Sequence, residues 1–172
     1  MLRIVLGNTE VSVPPMPDDH PEIVLKTIGA IRRSGLSPGK DVELVVHTRD
    51  DLVAGIPLEA EPGFASWLAS VMGTRAFPGD LAIAVGRPLD GKRHRKGGKL
   101  VVLTPSGDGP AIDAVARKNR DATLLIGGFR EGEFDREVLG SADVRVSLGK
   151  ERLAVWDAVE QALSAWNAFL KK

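Results

Sequence analysis

Short apolar runs, each followed by a stretch of different periodicity, organise the chain. Residues 2–6 are almost wholly apolar and stop at Gly7-Asn8, the signature of a buried strand ending in a turn. Runs of the same kind at residues 42–47, 81–85, 100–103, 123–126 and 144–148 predict five further strands. Between them the apolar positions step by three and four. Ile23, Thr27, Ala30 and Ile31 predict a helix that opens near His20-Pro21-Glu22. Asp19 or His20 would cap it, Pro21 suits its first turn, Glu22 suits the positive end of its dipole, and Gly35 lies just past its end. Further helices are predicted over residues 64–72, over 111–118 behind Pro110, and over 153–170. Val13-Pro14-Pro15-Met16-Pro17 fits neither a helix nor a central strand.

Strands alternating with helices predict an α/β fold, a mostly parallel sheet with helices on both faces. Ligands of such sheets bind beyond the carboxyl ends of the strands, which directs attention to the loops after Val85, Leu103, Ile126 and Leu148. No linker or repeat divides the chain, so residues 1–172 are expected to form a single domain.

Composition narrows the chemistry. At 172 residues, 43% hydrophobic and 27% charged, the chain can bury a sizeable core. It has no cysteine, which removes disulfides, thiolate metal sites and cysteine nucleophiles. Its three histidines, His20, His47 and His94, have no metal-ligand spacing, so no metal is expected. No apolar run reaches the ~20 residues of a membrane span, and a cytoplasmic location is expected. Lysines and arginines equal aspartates and glutamates at 23 each. The charge is unevenly spread, however: Lys92, Arg93, Arg95, Lys96 and Lys99 fall in a stretch with no acid, and such a patch can bind RNA at zero net charge.

Three segments could carry function. Gly127-Gly128-Phe129-Arg130-Glu131-Gly132 follows a strand, and its glycines let backbone approach a ligand; its spacing fits neither a dinucleotide fingerprint nor a Walker loop. Residues 147–153 join the last strand to the last helix. That helix has a wide apolar face including Trp156, Val159, Leu163, Trp166 and Leu170, which suits packing on the sheet or aromatic anchoring of a second subunit.

In order and spacing these segments resemble the SPOUT-class pseudouridine N-methyltransferase family of ribosome biogenesis. His20-Pro21-Glu22-Ile23-Val24 is similar to the family's Arg-Pro-Asp-Ile helix start, and Val45-Val46-His47-Thr48-Arg49 to its strand end in His-Thr. Gly86-Arg87-Pro88 stands where the family has Lys-Asn-Pro. Residues 127–132 match its Gly-Ala-Phe-Ala-His-Gly loop in length and glycine positions, and residues 147–154 match the length of its last loop.

The resemblance implies a C-terminal trefoil knot, a homodimer, and S-adenosylmethionine held by the knot loops. Carried over, the cofactor contacts fall on Leu103, Thr104, Gly127, Gly128, Gly132, Leu148, Leu153 and Ala154. The implied activity is methylation of a pseudouridine ring nitrogen in structured RNA, small-subunit ribosomal RNA above all. Glu22, in place of the family's Asp, would orient or deprotonate the target base. The family's arginine-rich RNA grip corresponds here to Glu59-Ala60-Glu61-Pro62-Gly63-Phe64, which carries no arginine. RNA contacts are therefore expected from His20, Arg49, Arg87, Lys92, Arg93, Arg95 and Lys96. The alternative is a non-catalytic knotted RNA-binding protein of ribosome assembly.

Overall fold

The computed structural model describes residues 1–12, 16–56, 58 and 88–170. The predicted helix over 64–72, the strand over 81–85 and Arg87 lie outside the described residues.

Six described strands form one sheet: β1 (Leu2–Thr9), β2 (Val42–Thr48), β3 (Val53–Ile56), β4 (Lys99–Leu103), β5 (Ala122–Gly127) and β6 (Val144–Val146). Their order is β3-β2-β1-β5-β4-β6. All neighbours run parallel except β2 and β3, which form an antiparallel hairpin. β1, the first strand of the chain, thus lies between β2 and β5 near the middle of the sheet. The expected α/β architecture is borne out.

Strand alternation explains how both faces become cores. Leu2, Ile4 and Leu6 of β1 point with Leu44, Val46, Val101, Leu103, Leu124 and Ile126 into one apolar layer. Helices α1 (Glu22–Arg33) and α5 (Val155–Leu170) and the shorter α3 (Ile112–Lys118) cover it. Val5, Val45, Leu100, Val102 and Leu125 point the other way and meet Phe134, Leu89 and Val138 of α4 (Arg136–Gly140). The short helix α2 (Gly91–His94) lies on this second face, where a Cβ on Gly91 would touch Leu100 and Ser141.

Four local expectations are corrected. No side chain caps α1: the Asp19 carboxylate is occupied by the Ser12 amide, the Ser12 hydroxyl, the Met16 amide and Arg49, and the His20 ring meets Glu22 instead. The last strand stops at Val146, leaving Ser147 and Leu148 in a loop, and the last helix starts at Val155 rather than at residue 153. β3 is an addition, since four residues including a glycine carry too little pattern to predict a strand. It exists because Asp51 adopts a left-handed φ of 64° and the Thr48 hydroxyl accepts the Leu52 amide, turning the chain back along β2. Finally, Trp166 does not face a partner. It is fully buried under the sheet, donating its indole N–H to the Asn119 carbonyl at 2.9 Å. Trp156 is half-buried with the Lys26 ammonium 4.1 Å above its ring, so of these two tryptophans only Trp156 is accessible to another chain.

Candidate functional site

The carboxyl ends of β4, β5 and β6 open into a cleft with about 590 Å3 of atom-free space, the solvent at its open mouth included. Its floor is buried and mostly apolar: Leu103, Thr104, Ile126, Phe134 and Val155. The walls come from three loops. One follows β4 with Pro105, one follows β5 with Phe129, Gly132 and Glu133, and one follows β6 with Ser147, Leu148, Gly149, Glu151, Arg152 and Leu153. Gly127 and Ala158 complete the lining.

Tight backbone packing brings these loops together. The Thr104 amide donates to the Val146 carbonyl at 3.0 Å and the Gly109 amide to that of Arg145 at 2.9 Å, so the chain after β4 runs against β6. A Cβ on Gly107 would lie 2.4 Å from the Ser147 nitrogen, and one on Gly109 would lie 2.2 Å from the Arg145 oxygen. Both positions require glycine, and neither stands out in the sequence because neither belongs to a recognisable motif. In the second loop Gly132 takes a φ of 95°, with open space where a side chain would project.

Arg152 ties the third loop to the second. Its guanidinium donates to the Gly132 carbonyl at 2.5 Å and to the Phe129 carbonyl at 3.2 Å, and lies 5.4 Å from the centre of the Phe129 ring. Glu133 is held from the first loop by the Ser106 hydroxyl at 2.5 Å. Leu153 is 38% exposed at the rim of the cleft. Sequence reasoning gives no ligand role to Phe129, Glu133, Phe134 or Arg152. Only their nearness to the glycines could have flagged them.

Of the eight residues expected at the cofactor, Leu103, Thr104, Gly127, Gly132, Leu148 and Leu153 line the cleft. Gly128 and Ala154 do not. Gly128 is turned toward the end of β1: its amide donates to the Gly7 carbonyl, and a Cβ there would lie 2.4 Å from the Thr9 hydroxyl and 2.7 Å from its Cα. Its glycine is needed for strand packing.

A second constellation borders this loop at the carboxyl ends of β1 and β2. The Glu10 amide donates to the Gly128 carbonyl, and the Glu10 carboxylate pairs with Arg130 at 3.2 Å. Arg49 pairs with Asp18 at 2.8 Å and Asp19 at 2.9 Å, while His20 meets Glu22 at 2.7 Å. Burial alone would raise the Glu22 carboxyl, but the hydrogen bond with His20, the backbone and the nearby cations outweigh it and leave the group below its ordinary range. Glu22 is not in the cleft lining. Its carboxylate holds the His20 ring.

The structure does not bring the basic segment to the cleft. Residues 92–99 lie at the amino end of β4, where a Cβ on Gly98 would meet the Asp121 carbonyl. The five residues of β4 span ~13 Å from Lys99 to Leu103. Arg93 pairs with Asp90, Arg95 with Asp143, and Lys96 with Glu43, so much of the segment's charge is already partnered; Lys92 is exposed. Among the described residues no group of three or more His, Cys, Asp or Glu is gathered to hold a metal, and no helix is long and apolar enough to cross a membrane.

Comparison with known proteins follows the same lines. No family model matches the chain. A stretch of 65 residues, 38% of this chain, is 32% identical to the ribosomal RNA small subunit methyltransferase Nep1 of Methanothrix thermoacetophila. The match spans 29% of that relative's length. The crystal structure of Archaeoglobus fulgidus Nep1 bound to S-adenosylhomocysteine superposes with a TM-score of 0.76, covering 99% of both chains at 16% identity. This chain has the Nep1 fold. The fold implied by the family resemblance is borne out by the superposition, and the 65-residue match is to a protein of the kind the sequence resembles.

Proposed function

We propose that this protein is an S-adenosylmethionine-dependent methyltransferase acting on small-subunit ribosomal RNA, with a pseudouridine ring nitrogen as acceptor. The observation that carries the reading is the cleft itself. Three backbone loops meet over a buried apolar floor at the carboxyl ends of parallel strands, in a chain with the fold of a protein whose structure holds S-adenosylhomocysteine. The named relative from Methanothrix thermoacetophila, a ribosomal RNA methyltransferase, supports RNA as the substrate.

The residues fit such a cofactor. Leu103, Ile126, Leu148 and Leu153 offer apolar surface to a flat base, and Gly127 and Gly132 bring main chain within reach of its edge. Bound S-adenosylmethionine would supply an electrophilic methyl group. The protein's own work is then alignment and exclusion of water rather than covalent catalysis. The close packing of Gly107 and Gly109 on residues 145–147 supports a knotted crossing of these loops.

RNA approaches from the carboxyl edge in this reading, past His20, Arg49 and Arg130, with Glu22 positioning His20. Lys92, Arg93, Arg95 and Lys96 are left as remote phosphate contacts that add affinity without touching the acceptor base.

The test is methyl transfer to matched synthetic RNA hairpins that carry either pseudouridine or uridine at one position, read by mass spectrometry. The proposal expects a gain of about 14 daltons on the pseudouridine hairpin and none on its uridine twin, the mass of about one CH2 unit as methyl replaces hydrogen. Equal methylation of both removes the pseudouridine assignment. Cofactor binding with no transfer to either favours the assembly-protein alternative.

A further inference from the structure

The cleft has an apolar floor and a charged rim, and the rim matches the other end of the same ligand. Among the described residues lining it, Arg152 is the sole cation, and Glu133 and Glu151 are the carboxylates. We infer that Arg152 anchors the α-carboxylate of the cofactor's amino-acid end, with Glu133 opposite it for the α-ammonium. This rests on the cofactor reading above.

Three observations carry the assignment. The guanidinium is fixed before any ligand arrives, by two main-chain carbonyls of the glycine loop and by the face of Phe129. A guanidinium has five N–H donors in a planar fork, so two bonds to carbonyls leave others for a carboxylate. Glu133 is likewise fixed, by the Ser106 hydroxyl and amide, at the mouth of the same cleft. A nucleoside joined to an amino acid therefore meets apolar surface at its base and one fixed charge of each sign at its zwitterionic end. Arg152 also closes the loop that delivers it, since the carbonyls it holds belong to Phe129 and Gly132.

The experiment is isothermal titration of the purified full chain with two ligands, S-adenosylhomocysteine and 5′-methylthioadenosine. The second keeps the nucleoside and the sulfur but has no amino-acid end. Wild type is expected to bind S-adenosylhomocysteine more tightly. Arg152→Gln should weaken S-adenosylhomocysteine about tenfold or more, the scale of a charge-assisted hydrogen-bonded pair, while leaving 5′-methylthioadenosine within about twofold. Arg152→Lys, which keeps the charge but not the fork, should fall between them for S-adenosylhomocysteine. Equal weakening of both ligands by Arg152→Gln would mean that Arg152 only holds the loop, and no weakening of either would mean that it holds nothing of the ligand. Each overturns this inference alone. Wild type that binds neither ligand overturns the cofactor reading and this inference with it.

Discussion

His47 and His94 are both buried, and the Nδ1 of the first lies 2.8 Å from the Nε2 of the second. Burial above all, then the neighbouring His47 and Arg3, lower the His94 pKa to about 4, with Asp90 opposing. The unfolded chain takes up the same proton near 6.5, so it binds more protons than the folded chain between these values. The associated stability is complete above about 6.5 and is lost as pH falls toward about 4. Each pH unit between the folded and unfolded values corresponds to ~1.4 kcal/mol, which puts the loss across the window on the order of 3 kcal/mol. Urea unfolding at pH 7 and pH 4 measures it. His94→Gln should lose less stability than wild type over that interval, by roughly 2–3 kcal/mol. Parallel losses in the two proteins would dissociate His94 from the acid sensitivity. In the sequence, His47 and His94 are only histidines without ligand spacing. Their pairing depends on α2 crossing the second face of the sheet, which no local pattern announces.

Among the elements, what is legible in the sequence follows from periodicity, and what is not follows from its absence. β1, β2, β4 and β5 are visible as apolar runs because both faces of a central parallel strand are buried. β3 is invisible because a four-residue edge strand held by a turn leaves no run to see. The stripe on α5 is visible, but a stripe states only that a face is covered, not by what. Here most of it packs against α1, α3 and the sheet of its own chain. Trp166→Ala should therefore destabilise the fold by ~3–5 kcal/mol, the cost of emptying a large core site. Trp156→Ala, which loses a half-buried ring and its Lys26 contact, should cost ~1 kcal/mol. Denaturant midpoints of the two variants separate these cases. Similar small losses in both would mean that Trp166 is not the core residue described here. The loops divide in the same way. Glycine spacing points to residues 127–132, yet only packing reveals that Gly127 and Gly132 face the cleft while Gly128 closes against Thr9.

The whole molecule has two unlike ends. At the carboxyl ends of the strands lie the cleft, the glycine loop and the cluster of His20, Glu22, Arg49 and Arg130. At the amino end of β4 lies the basic segment, its charges largely paired with Asp90, Asp143 and Glu43. A run of lysines and arginines in sequence gives no sign of which acids it meets, so the expectation of an RNA grip there rests on charge alone. The fold separates that grip from the proposed chemistry by the length of β4 and leaves the carboxyl edge as the approach for the acceptor base. The proposed chemistry requires the cofactor to reside in the cleft, and co-crystallisation with S-adenosylhomocysteine measures that directly. Ligand density is expected against Leu103, Gly127, Leu148 and Leu153, with its carboxylate at Arg152. Density at any other place on the molecule, or an empty cleft at saturating ligand, would contradict it.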